Sequence, residues 1–115
     1  MKQKVLIFID WYKPGYKAGG PIRSISNIVN QLNDTVDFFI ITRNTDYLDS
    51  TPYPSVKSNE WTKFDNSSVL YLSPDNTNKT VIKKLILEVN PDIIYCNSLY
   101  SPKFTLTPIR IANKL

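Results

Sequence analysis

The chain has 115 residues, 42% of them hydrophobic, which is enough for one packed α/β domain and too little for two. Its net charge of +4 comes from scattered lysines and arginines, so a nucleic-acid partner is not expected, whereas phosphorylated metabolites or an anionic membrane surface would both suit. No apolar stretch approaches the ~20 residues of a membrane-spanning helix, and the N-terminus leads into a strand rather than a signal peptide. The sequence therefore predicts a cytoplasmic protein, compatible with peripheral attachment to the inner face of the membrane.

The residue types present restrict the chemistry. The chain contains no histidine, which removes the commonest general base, the Ser-His and Cys-His nucleophile systems and most zinc sites. Its single cysteine, Cys96, lies in an apolar run, so a disulfide framework is excluded and a buried, unreactive thiol is predicted. We therefore expect neither a metal ion nor a cofactor.

The first half of the chain predicts a βαβ unit. Residues 5–9 and 36–42 are apolar runs typical of strands buried on both faces, and between them a helix is predicted from Pro21 to about residue 32, with Gly20 as its cap and Asn33 as its stop. The apolar stripe that should face the core consists of Ile22, Ile25, Ile28, Val29 and Leu32.

The second half predicts two further strands after a long excursion. Residues 43–66 are rich in proline and polar residues, with a short strand expected near residues 62–64. The aromatic residues of this excursion are expected to cover a sheet edge rather than to stack on a sugar; they are Tyr47, Tyr53, Trp61 and Phe64. A strand over 69–72, a helix over 78–89 and a strand over 92–96 follow. Residues 99–115 should be mostly helical, and their apolar pattern still runs at the last residue, which suggests a truncated domain.

This alternation predicts a Rossmann-like, doubly wound α/β fold, with a mainly parallel sheet and helices on both faces. Ligands of such sheets bind at the carboxyl ends of the strands. The first strand and the strand over 92–96 should be neighbours, so that Asn97 and Ser98 face the same cleft as the glycine pair Gly19-Gly20. Asn97 and Ser98 either bind a sugar hydroxyl or cap local backbone. Asp10, after the first strand, either acts as a base or orients a hydroxyl, or it forms a turn, which we favour.

The run KAGGPIRS at residues 17–24 is a predicted anion site. Backbone N–H groups at a helix start lack intrahelical partners, and the helix dipole there favours acidic side chains, yet Lys17 and Arg23 flank this start. A diphosphate or sugar phosphate bound between them would explain both cations; the alternative is that both side chains extend into solvent. The run matches neither the G-x-G-x-x-G spacing nor the Walker pattern, so NAD or ATP is only weakly supported.

Two segments carry a family resemblance. The residues WYKPG at 11–15 with KAGGP at 17–21, and NPDIIYCNS at 90–98, resemble the N-terminal domain of glycosyltransferase family 4, retaining enzymes of the GT-B fold. The resemblance implies metal-free transfer of a sugar from a nucleotide diphosphate sugar to a saccharide or lipid-linked acceptor, in cell-surface polysaccharide synthesis. It further implies that residues 1–115 are the single acceptor-side domain, the first half of a GT-B architecture, and that the C-terminal donor-binding domain is absent from this chain.

By the same resemblance, Gly19 and Gly20 bind the donor diphosphate through backbone N–H groups. Further anion or substrate contacts are expected from Lys17, Arg23, Asp10, Asn97 and Ser98. No catalytic residue is assigned, because Tyr95 stands where relatives often have histidine and the family's paired glutamates are missing, so the chain alone should be inactive. The alternative is a small stand-alone α/β module that binds a phosphorylated or acidic ligand without catalysis.

Overall fold

The computed structural model describes residues 3–15, 19–46, 52–53, 57–64, 66–73 and 79–96. Within them the elements are β1 (Gln3–Phe8), α1 (Gly20–Leu32), β2 (Val36–Arg43), β3 (Trp61–Phe64), β4 (Ser67–Leu72), α2 (Lys79–Val89) and β5 (Ile93–Cys96). Neither of these two helices is long and apolar enough to cross a membrane. Every predicted element that falls on described residues is present, and the predicted helix over 99–115 lies outside them.

The five strands form one mostly parallel sheet in the order β3-β4-β2-β1-β5. The pairs β1–β2, β2–β4 and β1–β5 are parallel, which confirms the predicted neighbourhood of the first and last strands, with Phe8 opposite Cys96. The short strand β3 is antiparallel to β4 and forms one edge. The protein therefore has the mixed, mainly parallel sheet of a Rossmann-like α/β fold. The strands β2 and β4 lie on one side of β1 and β5 lies on the other, so the order in which strands are added to the sheet reverses between β1 and β5.

Two apolar cores lie on opposite faces of this sheet. Ile7 and Ile9 pack with α1, whereas the alternating residues Leu6 and Phe8 pack with α2. Since successive strand residues point to opposite faces, α1 and α2 cover different sides of the sheet. This arrangement confirms the prediction that helices cover both faces of the sheet.

The core face of α1 is narrower than the sequence predicts. Its buried residues are Ile22, Ile25, Ser26 and Val29. Ile28 and Leu32 were expected in the core and are instead 37% and 46% exposed. The reason is the rotation of the helix about its axis: the buried face follows the i, i+3, i+4, i+7 stripe that starts at Ile22 and includes Ser26, which leaves Ile28 and Leu32 on one flank.

Three aromatic residues of the excursion pack against the two faces of the sheet. Trp61 meets Phe39 edge to face, with ring centroids 5.7 Å apart, and Tyr53 meets Tyr71 in the same manner at 5.8 Å. Phe64 packs against the core on the α1 side. Tyr47 lies outside the described residues.

A tyrosine pair fixes the loop that follows β1. The hydroxyl of Tyr71 donates to the carbonyl of Lys13, and the hydroxyl of Tyr53 donates to the carbonyl of Tyr12 at 3.3 Å. The N–H of Gly15 closes a turn by donating to the same Tyr12 carbonyl at 3.0 Å. The loop, which includes a cis Lys13-Pro14 peptide bond, is thus tied to β4 and to the excursion.

The substitution Gly15→Ala should destabilise the chain, because a Cβ atom there would collide with the Tyr53 hydroxyl and the Asp46 carboxylate. Overpacking of this kind costs about 1–3 kcal/mol, which urea denaturation would measure as a lower free energy of unfolding. The matched control is Gly20→Ala, where a Cβ atom meets nothing within 4 Å apart from its chain neighbours and its own helix. Since alanine before Pro21 is only mildly disfavoured in a helix, a smaller loss than at Gly15 is expected. Equal destabilisation by the two substitutions would contradict the close approach at Gly15.

Candidate functional site

The carboxyl ends of three neighbouring strands are joined by backbone hydrogen bonds beyond the strands themselves. The N–H of Arg43 donates to the carbonyl of Asp10 at 3.2 Å, which links the ends of β1 and β2. The N–H of Asn44 donates to the carbonyl of Leu72 at 3.0 Å, which links the ends of β2 and β4. The loops at this edge therefore start from fixed positions, as a ligand site on a parallel sheet requires.

The glycine turn opens α1 without any side-chain cap. Gly19 has φ 72° and ψ −118°, and the first turn contains a proline and no acidic residue. The positive φ suits glycine, which carries no Cβ penalty in that region. The structure places the helix cap at Gly19, one residue before the predicted Gly20, because the N–H of Arg23 donates to the Gly19 carbonyl at 3.4 Å. Both glycines are exposed, so a ligand can approach their backbone closely.

A cleft of about 310 Å³ runs between the β1–α1 loop and one flank of α1. It is lined by Lys13, Gly15, Gly19, Ile22, Arg23, Ser26, Asn27 and Asn30. The structure therefore brings the predicted residues Gly19 and Arg23 to one cleft. Gly20 adjoins Gly19 at the helix start, and Lys17, Asn97 and Ser98 lie outside the described residues.

Sequence reasoning missed Lys13, Asn27 and Asn30 as cleft residues. For the two asparagines a signal existed, since together with Arg23 they are spaced i, i+4, i+7 and form one row along the helix. The position of Lys13 across the cleft has no comparable signal, because it depends on the hydrogen bond that holds its carbonyl to Tyr71.

Asp10 lies in a charged cluster at the ends of β1 and β2. Its Oδ1 accepts a hydrogen bond from Nη2 of Arg43 at 3.3 Å, and the guanidinium lies 5.4 Å from the centre of the Trp11 ring. Asp10 is only 7% exposed and is not among the described residues that line the cleft. This geometry gives the Asp10 carboxylate a structural partner in Arg43, at the end of the neighbouring strand β2.

A second buried carboxylate, Asp46, lies behind Gly15 and was not singled out from the sequence. Nearby, Asn44 Nδ2 donates to Ser58 Oγ at 2.9 Å, and the Asn44 carbonyl accepts from the N–H of Tyr53 at 2.9 Å. These contacts join residues of the 43–66 excursion to one another, so they have a structural role rather than a role in ligand binding. Among the described residues, no group of three or more Cys, Asp or Glu side chains could hold a metal ion.

Cys96, at the end of β5, is half-buried rather than fully buried as predicted. The reason is its position on the outer strand of the described sheet, where only the α2 side packs against it. Burial still raises the pKa of its thiol above the ordinary value, because the thiolate would lose solvation.

The Asp10–Arg43 pair should contribute measurably to stability. A double-mutant cycle with Asp10→Ala and Arg43→Ala should give a coupling of about 1 kcal/mol in urea denaturation, because the carboxylate is buried and hydrogen-bonded. The matched control is the exposed pair Lys84–Glu88, in which Nζ and Oε1 are 4.0 Å apart. This pair should show a coupling energy of no more than about 0.5 kcal/mol. Additive effects of the two substitutions at Asp10 and Arg43 would show that the pair is energetically neutral.

The thiol of Cys96 should react slowly with iodoacetamide in the native chain. Since only the thiolate reacts and burial raises the thiol pKa, the native rate should begin to rise at a higher pH than the rate in urea, and at pH 8 it should be several times lower. Cys96 is the only cysteine of the chain, so total alkylation measured by mass spectrometry reports on it alone. Identical pH profiles in both states would refute the effect of burial.

The chain was compared with protein-family models, with curated proteins and with solved structures, and no match was found. The candidate site is therefore defined by the glycine turn, the cleft beside α1 and the charge of the residues that line it.

Proposed function

We propose that this chain is the acceptor-side domain of a metal-independent glycosyltransferase that takes a nucleotide diphosphate sugar as donor. The observation that carries this proposal is the exposed, left-handed Gly19 turn, which opens α1 with neither a side-chain cap nor an acidic residue in its first turn. The resemblance of residues 11–21 and 90–98 to glycosyltransferase family 4 supplies the reaction class.

The turn suits a diphosphate for three physical reasons. The N–H groups of Gly20 and Ile22 belong to the first helical turn, where no intrahelical acceptor is in reach. The positive end of the helix dipole lies there, and Arg23 adds a full positive charge on the cleft side. As the sugar leaves, negative charge grows on the diphosphate, and donors held in advance at this position would stabilise it.

The exposed apolar side chains support packing against a further domain. Ile93 and Tyr95 of β5 are 49% and 45% exposed, and they lie on the α1 side of the sheet, since Ile94 and Cys96 pack toward α2. Ile28 and Leu32 of α1 are exposed as well. Large apolar side chains left exposed on both elements are expected where another domain packs. In this proposal a second domain holds the nucleotide and closes over the Gly19 turn, so the chain alone does not catalyse transfer.

The diphosphate site can be tested on the 115-residue chain by nuclear magnetic resonance. Pyrophosphate, UDP and GDP should shift the backbone amide resonances of Gly19, Gly20 and Ile22, whereas uridine should not, because it lacks the anion. Gly19→Ala should weaken pyrophosphate binding several-fold, since φ 72° is strained for alanine. Lys83→Gln, on the exposed side of α2, is the matched control and should change nothing at the turn.

Absence of amide shifts at Gly19 and Gly20 would rule out the diphosphate site. The requirement for a second domain has a separate test, in which the chain is incubated with nucleotide sugars and release of the nucleotide diphosphate is measured. No release is expected, and turnover by the chain alone would overturn that part of the proposal. Inorganic phosphate that binds as tightly as pyrophosphate would show an anion site with no preference for a diphosphate, and would favour the stand-alone binding module instead.

A further inference from the structure

The cleft beside α1 extends well beyond the space that a diphosphate occupies. Its lining runs from Gly19, at the start of the helix, to Asn30 near the end. At about 1.5 Å per residue, this distance is about 16 Å along the helix axis. The two phosphorus atoms of a diphosphate are joined through one oxygen, so most of the cleft is left for a second chemical group.

The α1 wall of the cleft presents a single polar row. Arg23, Asn27 and Asn30 follow one another at i, i+4 and i+7, and the more deeply placed residues behind them are Ile22 and Ser26. The Oδ1 atom of Asn30 accepts a hydrogen bond from Nδ2 of Asn66 at 3.2 Å. This contact orients the carboxamide, so a ligand would meet its N–H donors.

The chemistry of the lining selects the class of ligand. Carboxamides and a hydroxyl are suited to sugar hydroxyl groups, which both donate and accept hydrogen bonds. Ile22 is the only large apolar side chain among the described lining residues, which is too little for a lipid tail. The charged residues among them are Lys13 and Arg23, with no carboxylate, and a guanidinium matches the planar geometry of a carboxylate.

We propose that this cleft binds an acidic saccharide, with the sugar carboxylate against Arg23 and the sugar hydroxyls on Asn27 and Asn30. The inference rests on the proposed function and deepens it: the acceptor would be a negatively charged sugar, such as a uronic acid residue, rather than a neutral sugar or a lipid. Lys13, on the facing wall, adds positive potential without needing direct contact.

The test compares sodium glucuronate with glucose, which differ in the carboxylate. Both are titrated into the 115-residue chain, and shifts of the Asn27 and Asn30 side-chain amide resonances are followed. Glucuronate should bind about fivefold more tightly than glucose, the ratio expected for one exposed charge-assisted contact. Arg23→Gln should abolish this preference, Asn27→Ala should weaken both sugars, and the control Lys83→Gln should alter neither.

Equal affinity for the two sugars, or a preference that survives Arg23→Gln, would overturn the acidic part of the inference. Acetate that binds as tightly as glucuronate would overturn the saccharide part, because acetate carries the carboxylate alone. A response of Gly19 and Gly20 to pyrophosphate without any response to glucuronate would refute this inference and leave the diphosphate site standing. A response to glucuronate without one to pyrophosphate would support the saccharide cleft and refute the diphosphate site.

Discussion

The hydrogen bond from the Tyr71 hydroxyl to the Lys13 carbonyl fixes the loop on which the candidate site depends. Tyr71 is a fully buried residue of β4, so its hydroxyl is held by the core of the sheet rather than by the surface. The loop after β1 thereby takes its position from a strand two places away in the sheet order. Without this contact, the wall of the cleft opposite α1 would depend on the hydrogen bonds that the Tyr12 carbonyl accepts from Tyr53 and Gly15.

The loop after β1 and the start of α1 form the two walls of the cleft, but they are stabilised differently. The loop is held by side-chain hydroxyls that donate to backbone carbonyls, and its close packing leaves no room for a Cβ atom at Gly15. The helix start is open around Gly19 and Gly20, where an added Cβ atom would meet no neighbour within 4 Å. A rigid wall therefore faces an accessible helix terminus, which is a suitable combination for binding an anion at low reorganisation cost.

Sequence patterns predicted the elements and the neighbourhood of β1 and β5, because apolar runs and right-handed crossovers restrict a parallel sheet to few arrangements. They also located the helix start, since glycine and proline have specific roles there. They failed where contacts join distant residues: Tyr71 and Lys13 are 58 positions apart, and Arg43 and Asp10 are 33 apart. Periodicity likewise marked α1 as amphipathic, but it could not show that Ser26 would belong to the buried face and that Ile28 would not.

The helix α1 has two unlike flanks. Its polar flank carries Asn30, which is hydrogen-bonded to Asn66 in the β3–β4 turn, so the flank with Ile28 and Leu32 faces the opposite side, toward β5. The helix α1 thus separates the candidate ligand cleft from the exposed apolar side chains Ile28 and Leu32. A protein domain packed on the apolar flank would therefore leave the cleft on the polar flank open to a ligand, because the two surfaces lie on opposite sides of the same helix.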